Sequence, residues 1–395
     1  MARLVTSGFE SNSATAGVEE CLVAVVGAVS ISSTLARSGT YSLHLSGMTS
    51  GVRARVSYEY ATGTGNGPYF FRAYVNFVTF PTAENNFFSW GTVATGGGAG
   101  ITVSSSGQLQ LYAAGAAPVG SASSALNLNQ WYRIEVWMDR TPASGSRVLK
   151  AAIDGVEFAS SSTLATLTQG DYFVIGGNLS VETQTQGEWY FDDIAVNDNT
   201  GSFQTSYPGA GNIISQHPNG AGDSTAWTPK SGTNWSQVDE VTPDGATSYV
   251  TDGVLNDSDF YTVGASGIPT GSTITLVNVA VYFANDTADA TTAFKVQIKK
   301  TTGGTVSQSS AITPNATAYK AQTAAGTVPQ FFPLKLYQDP DSTNWTQTTV
   351  DSSQIGVQST LIGVNKNRVS TLWTVVEYIP STNTARLKSL LGVGL

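Results

Sequence analysis

The sequence predicts an all-β fold, and three observations carry that prediction. Charged residues make up only 12% of the 395, about half the roughly 25% usual in globular chains. Forty-one glycines, with abundant Ser, Thr and Asn, take their place. Amphipathic helices draw their polar faces from Glu, Lys and Arg, so this composition suits short strands and tight turns instead. The third observation is a period-two alternation of apolar and polar residues that recurs along the chain. Apolar residues at 41% suffice for real cores, and the length suits two domains at about 100–200 residues each.

Taken in order, Tyr41 to Leu45 (YSLHL) and Val52 to Val56 (VRARV) alternate and read as strands. Phe70 to Phe80 (FFRAYVNFVTF) is longer and aromatic, as expected of a central strand under a second layer. Ile101 to Val103 and Leu109 to Tyr112 flank Ser104-Ser105-Ser106-Gly107, a hairpin signal. Trp131 to Met138 (WYRIEVWM) alternates again, and Val148 to Ile153 runs into the turn dipeptide Asp154-Gly155. Tyr172 to Ile175 and Glu188 to Val196 complete roughly ten strands, an antiparallel sandwich pattern. The polar, Gly-rich stretch from Asn197 to Ala210, ending near Pro208-Gly209, reads as a linker open to proteases. The expected division is a first domain over 1–200, a linker over 201–212 and a second β-rich domain over 213–395. In the latter, Ile274 to Phe283, Ala293 to Lys299, Phe331 to Tyr337 and Arg368 to Ile379 are strand-like, whereas 215–260 should be mostly loop with short strands.

Charge and composition exclude several function classes. A net charge of −9 with 19 Lys and Arg spread along the chain gives no basic patch for nucleic acid or for an anionic membrane. The longest apolar run, Cys21 to Ile31, is about half a spanning helix. A single cysteine allows no intrachain disulfide, and Cys21 reads as a small buried hydrophobe. The opening MARLVTSGFESNSATAG has no secretory apolar core, so synthesis in a cytoplasm is expected, and the six Asn-x-Ser/Thr sequons read as by-products of composition.

No residue set demands catalysis. Glu135 and Asp139 have the i,i+4 spacing that puts two carboxylates on one strand face, but Thr141-Pro142 follows at once and places Asp139 at a strand end. Asp192 and Asp193 are adjacent, so on a regular strand they face opposite ways. Asp252, Asp257 and Asp259 are acidic neighbours without a calcium-loop spacing. His44 and His217, the only histidines, lie in a strand and a turn without a nucleophile motif. Gly96-Gly97-Gly98-Ala99-Gly100 lacks the Lys and helix of a phosphate loop and reads as a flexible loop. No cofactor and no metal is expected. Trp235 and Trp345, each in a Thr-Asn-Trp context, are candidate glycan platforms or turn anchors. The apolar tail, Leu387, Leu390, Leu391, Val393 and Leu395, reads as a final strand, a short helix or a docking peptide.

Several segments resemble the laminin-G/concanavalin-A-like jelly-roll family: Gly8-Phe9-Glu10, Ala36 to Leu43 (ARSGTYSL), Gln130 to Val136 (QWYRIEV), Val148 to Phe158 and Trp189 to Val196 (WYFDDIAV). Beyond them, Ser206-Tyr207-Pro208-Gly209, Trp227-Thr228-Pro229, Asn234-Trp235 with Val238-Asp239-Glu240, and Ile355 to Gln358 resemble a module that follows such jelly rolls in tailed-bacteriophage virion proteins. The resemblance implies a virion structural protein, a minor tail or capsid-decorating component, that displays a lectin-like jelly roll to host surface glycans. It would be non-enzymatic, self-associating and docked on other phage proteins through 201–395. A free carbohydrate-binding lectin is the alternative, and a sandwich glycoside hydrolase the third reading.

Overall fold

The computed structural model describes every residue except 1, 47–53, 62–64, 94–98, 115–116, 178–186, 288–290, 315, 322–330, 364 and 382–395. Strand accounts for 49% and helix for 2%, so the all-β expectation holds. The lone α-helix among the described residues, Gln347–Asp351, is started by a capping box in which Thr346 and Thr349 exchange side-chain and backbone hydrogen bonds.

Two sheets form the first sandwich. Its front sheet runs, in spatial order, Val156–Leu164, Arg147–Ile153, Trp131–Asp139, Tyr69–Thr79, Glu188–Asp198, Ser42–Leu45 and Val29–Ser32, with Arg3–Ser7 also paired to Glu188–Asp198. Its back sheet runs Pro118–Val119, Leu109–Tyr112, Ala99–Val103, Asn85–Gly91, Tyr172–Gly176, Arg55–Glu59 and Leu22–Val26. Alternation does the layering. Phe71, Ala73, Val75 and Phe77 enter the core between the sheets, which leaves Phe70, Arg72, Tyr74 and Asn76 on the opposite, front face. The run from Cys21 to Ile31 is two strands, one in each sheet, separated by Gly27 at φ 82°. That left-handed turn suits glycine, and it breaks what the sequence shows as one apolar segment.

The second sandwich pairs a six-stranded sheet (Thr228–Pro229, Val250–Asp252, Asn367–Ile379, Thr273–Asn285 and Leu334–Leu336, with Asn212–Gln216 beside Asn367–Ile379) with a five-stranded one. The latter holds Pro218–Thr225, Ser258–Val263, Gln354–Leu361, Ala293–Lys299 and Ser307–Gln308. The strand Asn367–Ile379 is covered on both faces. Val369, Leu372 and Val376 join the second core, whereas Trp373 and Val375, with Ala280, Phe331 and Phe332, pack into the first. The six-stranded sheet is therefore a middle layer, and such two-sided burial accounts for the near-continuous apolar run LWTVV, interrupted only by the buried Thr374.

A buried ionic lock joins the two halves. Glu377, 2% exposed, accepts a hydrogen bond from Arg3 Nη2 at 2.8 Å. Arg72 Nη2 lies 2.7 Å from the other carboxylate oxygen, an ion-pair contact outside hydrogen-bond geometry. Burial alone would raise the Glu377 pKa, but Arg3 and Arg72 hold it at about 2. Glu20 adds a second tie by accepting from Trp373 Nε1 at 3.1 Å.

The stretch that composition marked as a linker is pinned to the front face. Gly209 donates its N–H to Glu135 and its carbonyl accepts from Arg72. The Gly211 carbonyl accepts from Arg37, Asn197 Nδ2 donates to the Ser206 carbonyl, and Tyr207 packs edge-on against Phe70. Limited proteolysis of the native protein is accordingly expected to leave 201–211 intact while other loops are nicked. Early cleavage there, with both halves still folded, would contradict this arrangement.

Candidate functional site

The front face of the first sandwich is read best as rows of residues paired across strands. One row is Trp131, Asn76, Tyr190, His44 and Ser30, with each neighbour directly paired by register. Five adjacent strands at about 4.8 Å make a strip roughly 19 Å long. His44 stacks on Tyr190 with ring centroids 4.3 Å apart. Its Nε2 lies 3.0 Å from Glu188 Oε1 and its Nδ1 lies 3.4 Å from Ser30 Oγ, so the imidazole is oriented from both sides. Asn76 sits between Tyr190 and Trp131, 1% exposed, and its Oδ1 accepts no hydrogen bond among the described residues.

The neighbouring rows are occupied by the protein itself. Arg37 lies over the Tyr74 ring, 3.3 Å from its centroid, and Arg72 serves Glu377 and Gly209. Phe70 stacks on Trp137, with Lys150 over the indole and Tyr207 at the edge. The connector thus closes part of the face and leaves the Trp131–Ser30 row without a hydrogen bond or ring contact from it among the described residues.

The carboxylates of Glu135, Asp139, Asp192, Asp193, Asp252 and Asp259 each have a structural partner. Glu135, 3% exposed, accepts from Arg133 Nε and from the Gly209 N–H. Asp139 accepts from both the N–H and the hydroxyl of Thr141, capping the turn after its strand. Asp192 and Asp193 do not face opposite ways. Asp193 has φ 51° within an irregularity of the ladder, and this turns both carboxylates to one loop. Asp192 accepts from the N–H groups of Arg37 and Ser38, and Asp193 from the Arg37 guanidinium, the Ser38 hydroxyl and the Ile213 N–H. Asp259 accepts from Trp227 N, Asn234 Nδ2 and Tyr261 OH, and Asp252 from the Ser359 hydroxyl. Among the described residues no three His, Cys, Asp or Glu side chains are grouped to hold a metal ion.

A buried acidic group lies under the N-terminal turn. Glu10 accepts from the N–H groups of Thr40 and Tyr41, Glu19 from the hydroxyls of Ser7 and Ser11, and Glu20 from Gly8 N and Trp373. Burial pushes Glu10 up to about 8 and Glu20 up to about 7, and Glu19 is raised by burial and by Glu20 beside it. Burial also lifts the Cys21 thiol to about 12, which keeps it a neutral, unreactive core group. His217 is held neutral by burial, its pKa lowered to about 4.

The two tryptophans proposed from sequence part company. Trp235 starts a 3-10 turn and is half-buried against the second core. Trp345 is 3% exposed, so its ring face is packed in the core rather than presented as a platform, but its edge lines an open cleft of about 420 Å³. The tail residues Leu387, Leu390, Leu391, Val393 and Leu395, like the glycines at 96–98, lie outside the described residues. The Trp131–Ser30 row went unnoticed in the sequence because its members come from five separate strands.

No known protein family matches this chain, and no curated protein matches it. Among solved structures, a Trypanosoma rangeli sialidase mutant with trans-sialidase activity is 18% identical over 50% of this chain at a TM-score of 0.34, and the match spans only 30% of that sialidase. The cellulose induced protein Cip1 is 15% identical over 47% of this chain and 88% of its own, also at 0.34. Domain 4 of AbnA, an extracellular arabinanase from Geobacillus stearothermophilus solved with arabinotriose, is 15% identical over 50% of this chain and 93% of its own, at 0.33. Scores of this size carry no argument about what the chain binds.

Proposed function

We propose that this protein is a non-catalytic carbohydrate-recognition component of a tailed-bacteriophage virion, displaying its first sandwich to glycans on the host surface. One observation carries the reading: the Trp131–Asn76–Tyr190–His44–Ser30 row, half-buried at Trp131 and His44 and exposed at Ser30, which the connector does not contact by hydrogen bond or ring among the described residues while it closes part of the same face. Flat rings offer contact area to sugar C–H faces at low entropic cost, and the flanking imidazole, amide and hydroxyl groups suit a sugar's hydroxyls. The structural use of Glu135 and Asp139 supports binding over hydrolysis. The resemblance of the second half to a phage virion module supports a place on a particle, with docking and self-association through 201–395.

The test is binding of the purified full chain to bacterial surface polysaccharide by titration calorimetry. Trp131→Ala and Tyr190→Ala are each expected to weaken binding about tenfold or more, which corresponds to roughly 1.4 kcal/mol. Trp131 is half-buried at a strand start, so its variant should melt close to the parent. Unchanged affinity in both variants would refute the row as the site. Immunogold electron microscopy of particles then separates a virion component from a free lectin.

A further inference from the structure

We infer that the cleft beside Trp345 is a second saccharide site, selective for neutral sugars and independent of the front-face row. The connector residue Phe203 forms one wall, 43% exposed and stacked on Tyr337 with centroids 5.1 Å apart at an interplanar angle of 12°. With one ring face against Tyr337, the other is open to solvent. Trp345 closes the floor, and its Nε1–H is buried without a hydrogen-bond partner among the described residues. A buried unpaired donor is costly, and a ligand hydroxyl entering the cleft would satisfy it. Asn344, Thr273 and Ser272 supply an amide and two hydroxyls at the rim. The Asn344 and Thr273 side chains are exposed, and neither makes a side-chain hydrogen bond among the described residues.

Three further points favour this assignment. The volume of about 420 Å³ falls in the range of small-ligand sites, roughly 300–1,000 Å³. No residue lining the cleft carries a charge, so a sialic or uronic acid finds no counter-ion, whereas a neutral pyranose finds rings and hydroxyl-binding groups. The wall is also fixed in advance. Gln204, next to Phe203, accepts from Arg3 Nη2 and donates to the Thr275 carbonyl at 3.0 Å, tying the connector to both sandwiches so that binding orders little new chain.

The experiment is calorimetric titration of the full chain, in the Trp131→Ala background, with maltotriose, with triacetylchitotriose and with sialyllactose as an acidic control. At least one neutral trisaccharide should bind. Adding Asn344→Ala or Phe203→Ala should weaken that binding about tenfold or more, with the melting temperature of Asn344→Ala unchanged because that side chain is exposed and makes no side-chain hydrogen bond among the described residues. The proposal is overturned if neither neutral sugar binds at concentrations up to about 10 mM, if both added substitutions leave the affinity unchanged, or if sialyllactose binds best. Failure of the front-face reading is a different result, namely surface-polysaccharide binding that Trp131→Ala and Tyr190→Ala do not alter.

Discussion

Replacing Glu377 by alanine is expected to destabilise the protein by about 3–5 kcal/mol, the usual cost of stranding buried charge. Arg3 and Arg72, 1% and 0% exposed, would lose their shared carboxylate and have no water to replace it. Because both arginines belong to the first sandwich and Glu377 to the second, the loss falls on the joint between them. Scanning calorimetry should change from one cooperative transition to two, with the sandwiches melting separately. Glu377→Gln keeps the shape and some hydrogen bonding and should fall between. A single, barely shifted transition in Glu377→Ala would mean that the apolar contacts of Trp373, Val375 and Ala280 hold the halves together without the ionic lock.

The second large effect is on pH. Glu10 and Glu20 titrate near 8 and 7 in the folded chain against an ordinary 4.5, so between these values the folded state binds more protons than the unfolded one. Stability then falls as pH rises through that window. Glu19 and Asp192, raised by burial and by acidic neighbours, act in the same direction. Two groups oppose them on the acid side. His217, at about 4 instead of 6.5, withdraws stability as pH falls below 6.5, and Glu377, at about 2, withdraws it below 4.5. The melting temperature should therefore peak near pH 4–5 and drop by several degrees by pH 8.5, since each pKa unit is worth about 1.4 kcal/mol. Glu20→Gln, an amide in place of the neutral acid, should flatten the alkaline side. A melting temperature that is level or rising from pH 6 to 8.5 would show that these carboxyls ionise freely in the folded protein.

Much of the fold was legible, and the failures have physical causes. Strands with one wet or one buried face advertise themselves. Ala293 to Lys299 matches its observed bounds, and Phe70 to Phe80 is displaced by one residue at each end. Asn85–Gly91 was missed because its start, Asn85-Asn86, carries a turn composition although it lies in the back sheet. Phe331 to Tyr337 was too long, since only Leu334–Leu336 finds a partner strand. The Asp192/Asp193 pair defeated alternation through one left-handed residue, a backbone choice that a non-glycine sequence does not announce. The connector looked like a linker because Gly and Pro mark turns and tethers alike. What pins it is its own main-chain groups, to which side-chain patterns are blind. The candidate row was illegible for a related reason. It exists only once the registers of five strands are set, and slipping any one strand by a single residue would turn its member inward.

The ionic lock has a consequence for how the chain is made. Arg3 is translated 374 positions before its partner Glu377. The first sandwich has all its own strands once Asp198 has emerged, yet two buried arginines must wait for their counter-charge while the rest is translated. At roughly 5–20 residues per second that interval is about 10–40 s. During it, the apolar surface destined for Trp373 and Val375 is open to chaperones and to other nascent chains. A ribosome that stalls before Asn367–Ile379 releases a finished first sandwich with an unsealed flank. The joint is thus closed only when Asn367–Ile379 seats against strands made well before it.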